Sequence, residues 1–185
     1  MLQLGDSAVV SSSPERLVKI EDGWIETRPI AGTRPRGDSS DEDHRLQGDL
    51  LLNEKERAEH LMLVDLERND LGRICEYDSV AVSDLMFLET YSHVHHIVSN
   101  IRGRLRKEVG LEDILRAVFP GGTITGCPKI RCMQIIEELE TVRRGPYCGS
   151  LGYIGYGPHL DFNILIRTIL LKNEMAYFHA VAGIV

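Results

Sequence analysis

Apolar and polar positions alternate in short runs over the first thirty residues. Ala8-Val9-Val10, Leu17-Val18-Lys19-Ile20 and Trp24-Ile25-Glu26-Thr27 have the β-branched, alternating character of strands. Ser11-Ser12-Ser13-Pro14 and Glu21-Asp22-Gly23 divide them as turns. Residues 32–44, rich in Gly, Pro, Arg and Asp, read as a mobile surface loop. The period then changes. Across 51–74, Ala58, Leu61, Met62, Asp65, Leu66 and Asn69 recur at spacings of three and four, which predicts a helix with that stripe turned inward. Asn53 is placed to cap it, and Glu54 and Glu56 put negative charge in its first turn, where the helix dipole favours it. Strands resume at 79–82 and 93–105. A short helix covers 111–118, ended by Pro120-Gly121-Gly122, and another begins at Pro128 and runs through Met133, Ile135, Ile136 and Leu139. Three strand-like stretches, 147–156, 163–171 and 176–182, complete the chain. Strand blocks with helices inserted between them predict an α+β fold, mainly antiparallel, with the helices packed outside.

The 185 residues suffice for one sizeable core, and the 43% hydrophobic and 26% charged content is ordinary for a globular protein. No apolar run approaches the ~20 residues that span a bilayer, and the N-terminus lacks a basic segment ahead of a long apolar one. The net charge of −7 argues against nucleic acid and anionic membranes as partners. An anionic small substrate would need local cations or a metal. Cys75, Cys127, Cys132 and Cys148 form no Cys-x-x-Cys pair and read as reduced thiols of a cytoplasmic protein. The stop at Gly183-Ile184-Val185, directly after an apolar strand, suggests a fragment.

Three segments concentrate chemistry. In Phe119-Pro-Gly-Gly-Thr-Ile-Thr-Gly-Cys-Pro-Lys-Ile-Arg131, glycines let a ligand approach the main chain. Thr123, Thr125 and the free N–H groups ahead of a Pro-initiated helix could hold a carboxylate or phosphate. A structural glycine turn explains the same pattern, and Ile130 after Lys129 excludes the GxxxxGK[ST] phosphate loop. In the helix Arg57-Ala-Glu-His-Leu-Met-Leu-Val-Asp-Leu-Glu-Arg-Asn-Asp70, Glu59 facing inward would suit Mg²⁺, a hard ion that prefers oxygen; a solvated face of Glu/Arg pairs is the alternative. In His93-Val94-His95-His96, strand alternation puts His93 and His95 on one face and His96 on the other. A single functional histidine fits better than a zinc pair without companions.

Read together, these segments resemble a known family. Ser13-Pro14-Glu15-Arg16, Arg28-Pro-Ile-Ala-Gly-Thr-Arg34, the helix from Ala58 through Arg73, His95-His-Ile-Val-Ser99, Pro120-Gly-Gly-Thr-Ile-Thr-Gly-Cys-Pro-Lys129 and Ile166-Arg-Thr168 are similar to component I of para-aminobenzoate (aminodeoxychorismate) and anthranilate synthases. Six motifs in register over essentially the whole chain make the resemblance specific; isochorismate and salicylate synthases share them more loosely. The resemblance implies amination of chorismate, with Mg²⁺ as Lewis acid and template. It implies Glu15 as general acid/base at the C4 oxygen, Glu59 as a Mg²⁺ ligand, and His96 and Thr123 along the ring and its departing hydroxyl. It places Ala31 and Gly32 at the substrate. Tyr147 and Arg167 would anchor the enolpyruvyl carboxylate, Arg167 as a bidentate fork, and main-chain N–H groups at Ala182 and Gly183 would hold a carboxylate. It also implies a separate glutamine amidotransferase subunit supplying ammonia, since no Cys-His-Glu glutaminase signature is present.

The resemblance also frames the chain as a single chorismate-binding catalytic domain fragment, residues 1–185. It lacks the family's N-terminal part and a further helix carrying a second Mg²⁺ ligand, and is expected to be inactive alone. Val181 stands where many relatives have glycine. Ala31 replaces the lysine nucleophile of many para-aminobenzoate synthases, as in anthranilate synthases. The Pro120-Gly-Gly-Thr-Ile-Thr-Gly126 and Tyr147-Cys-Gly-Ser-Leu-Gly-Tyr-Ile154 segments lean the other way. Amination to 4-amino-4-deoxychorismate is the favoured expectation, with conversion to anthranilate and pyruvate as the alternative. A non-catalytic chorismate-binding remnant is the alternative of another class, and the intact set Glu15, Glu59, His96, Thr123 and Arg167 speaks against it.

Overall fold

The computed structural model describes residues 1–157 and 159–180. Eleven strands and four helices are named among them: β1 Leu2–Leu4, β2 Ser7–Ser11, β3 Arg16–Glu21, β4 Trp24–Arg28, β5 Ile30–Pro35, α1 Ser40–Leu52, α2 Glu54–Gly72, β6 Ala81–Thr90, β7 Val94–Arg104, α3 Leu111–Val118, α4 Lys129–Leu139, β8 Ser150–Ile154, β9 Leu160–Ile164, β10 Thr168–Lys172 and β11 Met175–Phe178. A 3₁₀ turn, Gly122–Ile124, lies between α3 and α4. Every named strand pair is antiparallel, and the α+β expectation holds.

The strands divide into a large sheet, with β5, β7, β4, β3, β9 and β8 in order and β6 on the other edge of β7, and a small sheet ordered β1-β2-β10-β11. β4 and β5 behave as one strand interrupted at Pro29, because Thr27 pairs with Ile101 and Ile30 with Val98 in a continuous register along β7. β7 therefore has partners on both edges and α2 packed against it. Its residues from His95 through Ser99 are buried without a break. The main core joins Leu17, Val18 and Ile20 of β3 and Ile25 of β4 to Val64 and Leu71 of α2, Ile114 and Val118 of α3, and Leu160 and Ile164 of β9.

The chain passes between the two sheets twice: through residues 12–15 from β2 to β3, and through residues 165–167 from β9 to β10. The two crossings touch, with the Ser12 N–H donating to the Arg167 carbonyl at 3.2 Å and the Ile164 N–H to the Glu15 carbonyl at 3.0 Å. The Ser13 hydroxyl adds a bond to the Ile164 carbonyl at 2.5 Å. The predicted single strand over 163–171 is thus two strands in different sheets. The break falls at Arg167, whose φ of 49° no strand accommodates.

Two further expectations change. Residues 32–44 are not a loop. Thr33 and Arg34 pair with His96 and His95, extending β5. Ser39 then caps α1, accepting a bond from the Glu42 N–H, with Asp41, Glu42 and Asp43 in the first turn. The predicted cap at Asn53 holds, its side chain accepting from the Glu56 N–H at 3.0 Å. The inward face of α2 is rotated from the predicted stripe. His60, Leu63, Val64, Leu66, Glu67, Asp70 and Leu71 are buried, whereas Leu61 is 49% exposed and Ala58, Asp65 and Asn69 face outward. Hydrophobic spacing cannot see this rotation because three of the inward residues are polar, and two of them meet partners distant in sequence. The His60 Nε2 meets the Ser99 hydroxyl at 2.6 Å, and Asp70 receives Lys129 at 2.5 Å.

Candidate active site

The site forms where the two crossings meet the turn after α3. Glu15, on the first crossing, is 6% exposed, and its Oε1 has no hydrogen-bond partner. Burial raises its pKa to about 7; the Thr123 hydroxyl and the Arg167 guanidinium both pull against that shift without cancelling it. Thr123 sits in the 3₁₀ turn, its Oγ1 buried beside Glu15 yet closing no hydrogen bond of normal geometry. Arg167, on the second crossing, is exposed at the rim and bears electrostatically on both Glu15 and His96.

His96 enters from β7. It is 1% exposed, bonds through Nδ1 to the Thr33 hydroxyl at 2.9 Å, and meets the Tyr91 ring edge-on at 5.9 Å. Burial lowers its pKa, the Gly32 backbone opposes that change, and Arg167 adds to it. A neutral imidazole is therefore favoured. His95, its neighbour, is also buried, contrary to simple alternation: its Nε2 bonds to Asp43 at 2.9 Å and its Nδ1 to Thr90 at 2.9 Å. His93 is exposed.

Ala31 and Gly32 lie beside His96 in β5. Gly32 is the extra residue of a bulge between Ala31 and Thr33, with φ 82°. A Cβ there would come within 2.9 Å of both the Glu56 Oε2 and the Leu50 Cδ1, so the position requires glycine for backbone and space alike.

Tyr147 shares a groove with Ile124 and Thr125, the residues that follow Thr123. It stacks on His179 at 5.2 Å, faces the Arg144 guanidinium at 6.0 Å, and lines two open grooves of about 150 and 260 Å³. Its neighbour Cys148 ties it to the second crossing, the Cys148 N–H donating to the Leu165 carbonyl at 2.9 Å, and Thr168, next after Arg167, lines one of the same grooves. Burial lifts its phenol to about 12, so the hydroxyl is a donor at neutral pH. Ala182 and Gly183 lie outside the described residues, as does Val181.

Glu59 is half-buried on α2. It lies one and two turns before Leu63 and Leu66, both buried, and so shares the inward side of the helix. Leu66 in turn packs against Gly122, next to Thr123. Among the described residues no three His, Cys, Asp or Glu side chains converge on one point. Glu59 offers one oxygen-donor carboxylate, a donor that suits a hard divalent ion.

The sequence reading missed a set of polar residues behind Glu15. Thr27, Glu67 and Asp70 are all buried, and Thr27 Oγ1 and Glu67 Oε2 lack partners. Burial raises the Glu67 pKa to about 8. The only available signal was spacing: Glu67 stands four after Leu63 and three after Val64, a face visible once those two are known to be inside.

The whole chain, residues 1–185, matches the family of chorismate binding enzymes, and the protein belongs to that family. Aminodeoxychorismate synthase component 1 of Bacillus subtilis is 55% identical over 184 residues, covering 100% of this chain and 39% of that protein. Anthranilate synthase component 1 of Acetivibrio thermocellus is 52% identical, covering 100% of this chain and 37% of its own. The crystal structure of anthranilate synthase component I from Streptococcus pneumoniae superposes with a TM-score of 0.84 at 46% identity, over 93% of this chain and 38% of that one. The chain thus spans well under half the length of these relatives.

Proposed function

We propose that this chain supplies the acid–base and anion-anchoring part of a chorismate-aminating site, and that the reaction is formation of 4-amino-4-deoxychorismate. The observation that carries this reading is Glu15: a carboxyl inside the protein that holds its proton near neutrality, flanked by a hydroxyl and a guanidinium. Loss of the C4 hydroxyl requires a proton at the departing oxygen, and a buried acid with a pKa near the working pH is suited to deliver it. Thr123 is placed to orient that oxygen. Arg167, exposed and adjacent, suits a substrate carboxylate. His96, neutral and wedged between Thr33 and Tyr91, gives the ring a rigid polar wall. Tyr147, in its groove, can donate to a carboxylate farther along the substrate.

Mg²⁺ and a glutamine amidotransferase subunit belong to this proposal as requirements of the reaction class. Bound beside Glu59, the ion would neutralise a ring carboxylate. Ammonia would come from the partner subunit, and a cytoplasmic setting follows from that pathway chemistry. No helix among the described residues is long and apolar enough to cross a membrane.

Anthranilate formation is the second reading. Ala31 favours it, being buried in β5 with no amine to act as a nucleophile, and relatives of both names are similarly close. Product identity decides. The chain, expressed in the polypeptide in which it is naturally encoded, is given chorismate, Mg²⁺ and ammonium. A product converted to para-aminobenzoate by a lyase supports the first reading. Direct appearance of fluorescent anthranilate with pyruvate replaces it with the second. Binding of chorismate without turnover would reduce the protein to a binding remnant.

A further inference from the structure

Behind Glu15 lies a second buried acid that the steps above leave unused. Glu67 is 8% exposed and its Oε2 has no partner. It lines a small cavity of about 10 Å³ together with Arg16, Thr27, Asp70 and the Gly121-Gly122 backbone. That volume takes about one water molecule. The orphaned Thr27 Oγ1 and Glu67 Oε2 both belong to the cavity wall, so a single water there would find two partners.

Structural ties join this cavity to Glu15. Arg16, the next residue, lines it. Ile164, whose N–H holds the Glu15 carbonyl at 3.0 Å, lines it too. Gly122 packs against Leu66 and Glu67, and the residue after it is Thr123, which faces Glu15. The Glu15 charge reaches Glu67 directly.

The Thr27 hydroxyl and the Lys129 ammonium pull the Glu67 pKa down, against burial and the charges of Glu15 and Asp70, without cancelling the rise. Lys129, from α4, is bound to Asp70 at 2.5 Å and to the Val118 carbonyl at 3.5 Å. Arg16, from β3, is engaged by Glu26 at 2.7 Å and Asp161 at 3.4 Å. Asp70, on the same helix, repels a second negative charge, and Arg167 lies on the Glu15 side. Two buried carboxyls that feel each other's charge, with the nearby cations offsetting their burial only in part, resist ionising together.

We propose that Glu67 is a positioning residue for Glu15, the two buried carboxyls forming one acid pair in which Glu67 must stay neutral for Glu15 to carry its proton in the productive arrangement. The inference rests on the reading of Glu15 as the acid–base group. In each turnover the proton leaves Glu15 for the substrate oxygen, Glu15 becomes a carboxylate, and Glu67 keeps its own proton. The pair then holds a single negative charge until Glu15 is reprotonated from solvent.

The test is the pH profile of kcat/KM for the naturally encoded protein and its Glu67→Gln variant, with carboxyl titration by isotope-edited infrared or ¹³C NMR. Gln is neutral and of the same shape, so the rates should agree at about pH 6. Above about pH 8 the wild-type rate should fall with a two-proton dependence and the variant with one. At about pH 9 the variant should then be about tenfold faster relative to its own acid-side rate. In the second arm, Glu15→Gln should lower the pH at which Glu67 ionises, a readout independent of turnover and of whether Glu67→Gln folds. Superposable profiles for wild type and Glu67→Gln, or an unmoved Glu67 titration in Glu15→Gln, overturn the proposal. Full turnover by Glu15→Gln overturns the acid–base reading instead, and with it the catalytic half of the pair.

Discussion

Asp43 and Glu15 are both acids folded into the same α+β scaffold, and their protons are held in opposite ways. Asp43, in the first turn of α1, has every partner it can use. Arg36 donates to both of its oxygens, the Gly37 N–H adds a bond at 2.8 Å, and His95 and the Gln47 amide add two more. The Arg36 bonds, then Gly37 and His95, hold its carboxyl far below the usual carboxylate range. Glu15 has an orphaned oxygen, a hydroxyl nearby that does not close a bond and a guanidinium at the rim, and burial pushes it up to about 7. A network whose members satisfy one another fixes a structure. A buried acid left with spare valence is primed to exchange a proton with something that arrives. The first region ties α1 to β7; the second faces the joint between the sheets.

The largest expected effect separates the two regions by activity. Glu15→Gln should reduce chorismate turnover by about 10²–10⁴-fold while leaving the melting temperature unchanged or slightly raised, since a buried unpaired acid is replaced by its neutral isostere. Steady-state kinetics and a thermal melt measure both, and an equal loss of stability would erase the contrast. His95→Ala should do the reverse. Removing a fully buried ring that bonds Asp43 and Thr90 should cost about 3 kcal/mol by denaturant unfolding. Activity per folded molecule should change little.

A smaller effect is the pH dependence of stability. Glu15 and Glu67 have folded pKa values, about 7 and about 8, above the ordinary glutamate value of 4.5. The stability they contribute is complete below that lower value and is lost as pH rises through the folded values. His60 runs the other way: its folded pKa of about 4 lies below 6.5, so its contribution is lost as pH falls between those values. Between pH 4.5 and 6.5 the two carboxyls outweigh the one imidazole, so thermal melts should peak near pH 4.5 and decline towards pH 8, and Glu67→Gln should flatten that decline. The smallest expected effect checks the rotated face of α2. Leu61→Gln, at a 49% exposed position, should shift stability by under about 0.5 kcal/mol, against about 3 kcal/mol for Leu63→Ala; the reverse order would restore the predicted stripe.

Much of the candidate site was legible because its residues sit in short motifs whose chemistry is local. Thr123 in its glycine-rich turn stood out from residue types alone, whereas Glu15, His96 and Gly32 were named only through the resemblance of whole motifs to the family. Glu67 was not, because it lay within a run of charged residues on a helix whose inward face had been drawn one position away. That rotation is decided by Ser99 on β7 and Lys129 on α4, and neither partner is near the helix in sequence.

The α+β class, the Asn53 cap, the breakers after Val118 and the acidic overall charge follow from residue identities alone, since they depend on propensity, capping and turn chemistry over a few neighbours. The folding of residues 32–52 into strand and helix, the meeting of two sheet crossings at Glu15 and Arg167, and the proton held by each carboxyl were decided only in three dimensions. Burial and charge pairing are properties of distant contacts, and the same Glu or Asp side chain takes either charge state according to which of them surround it.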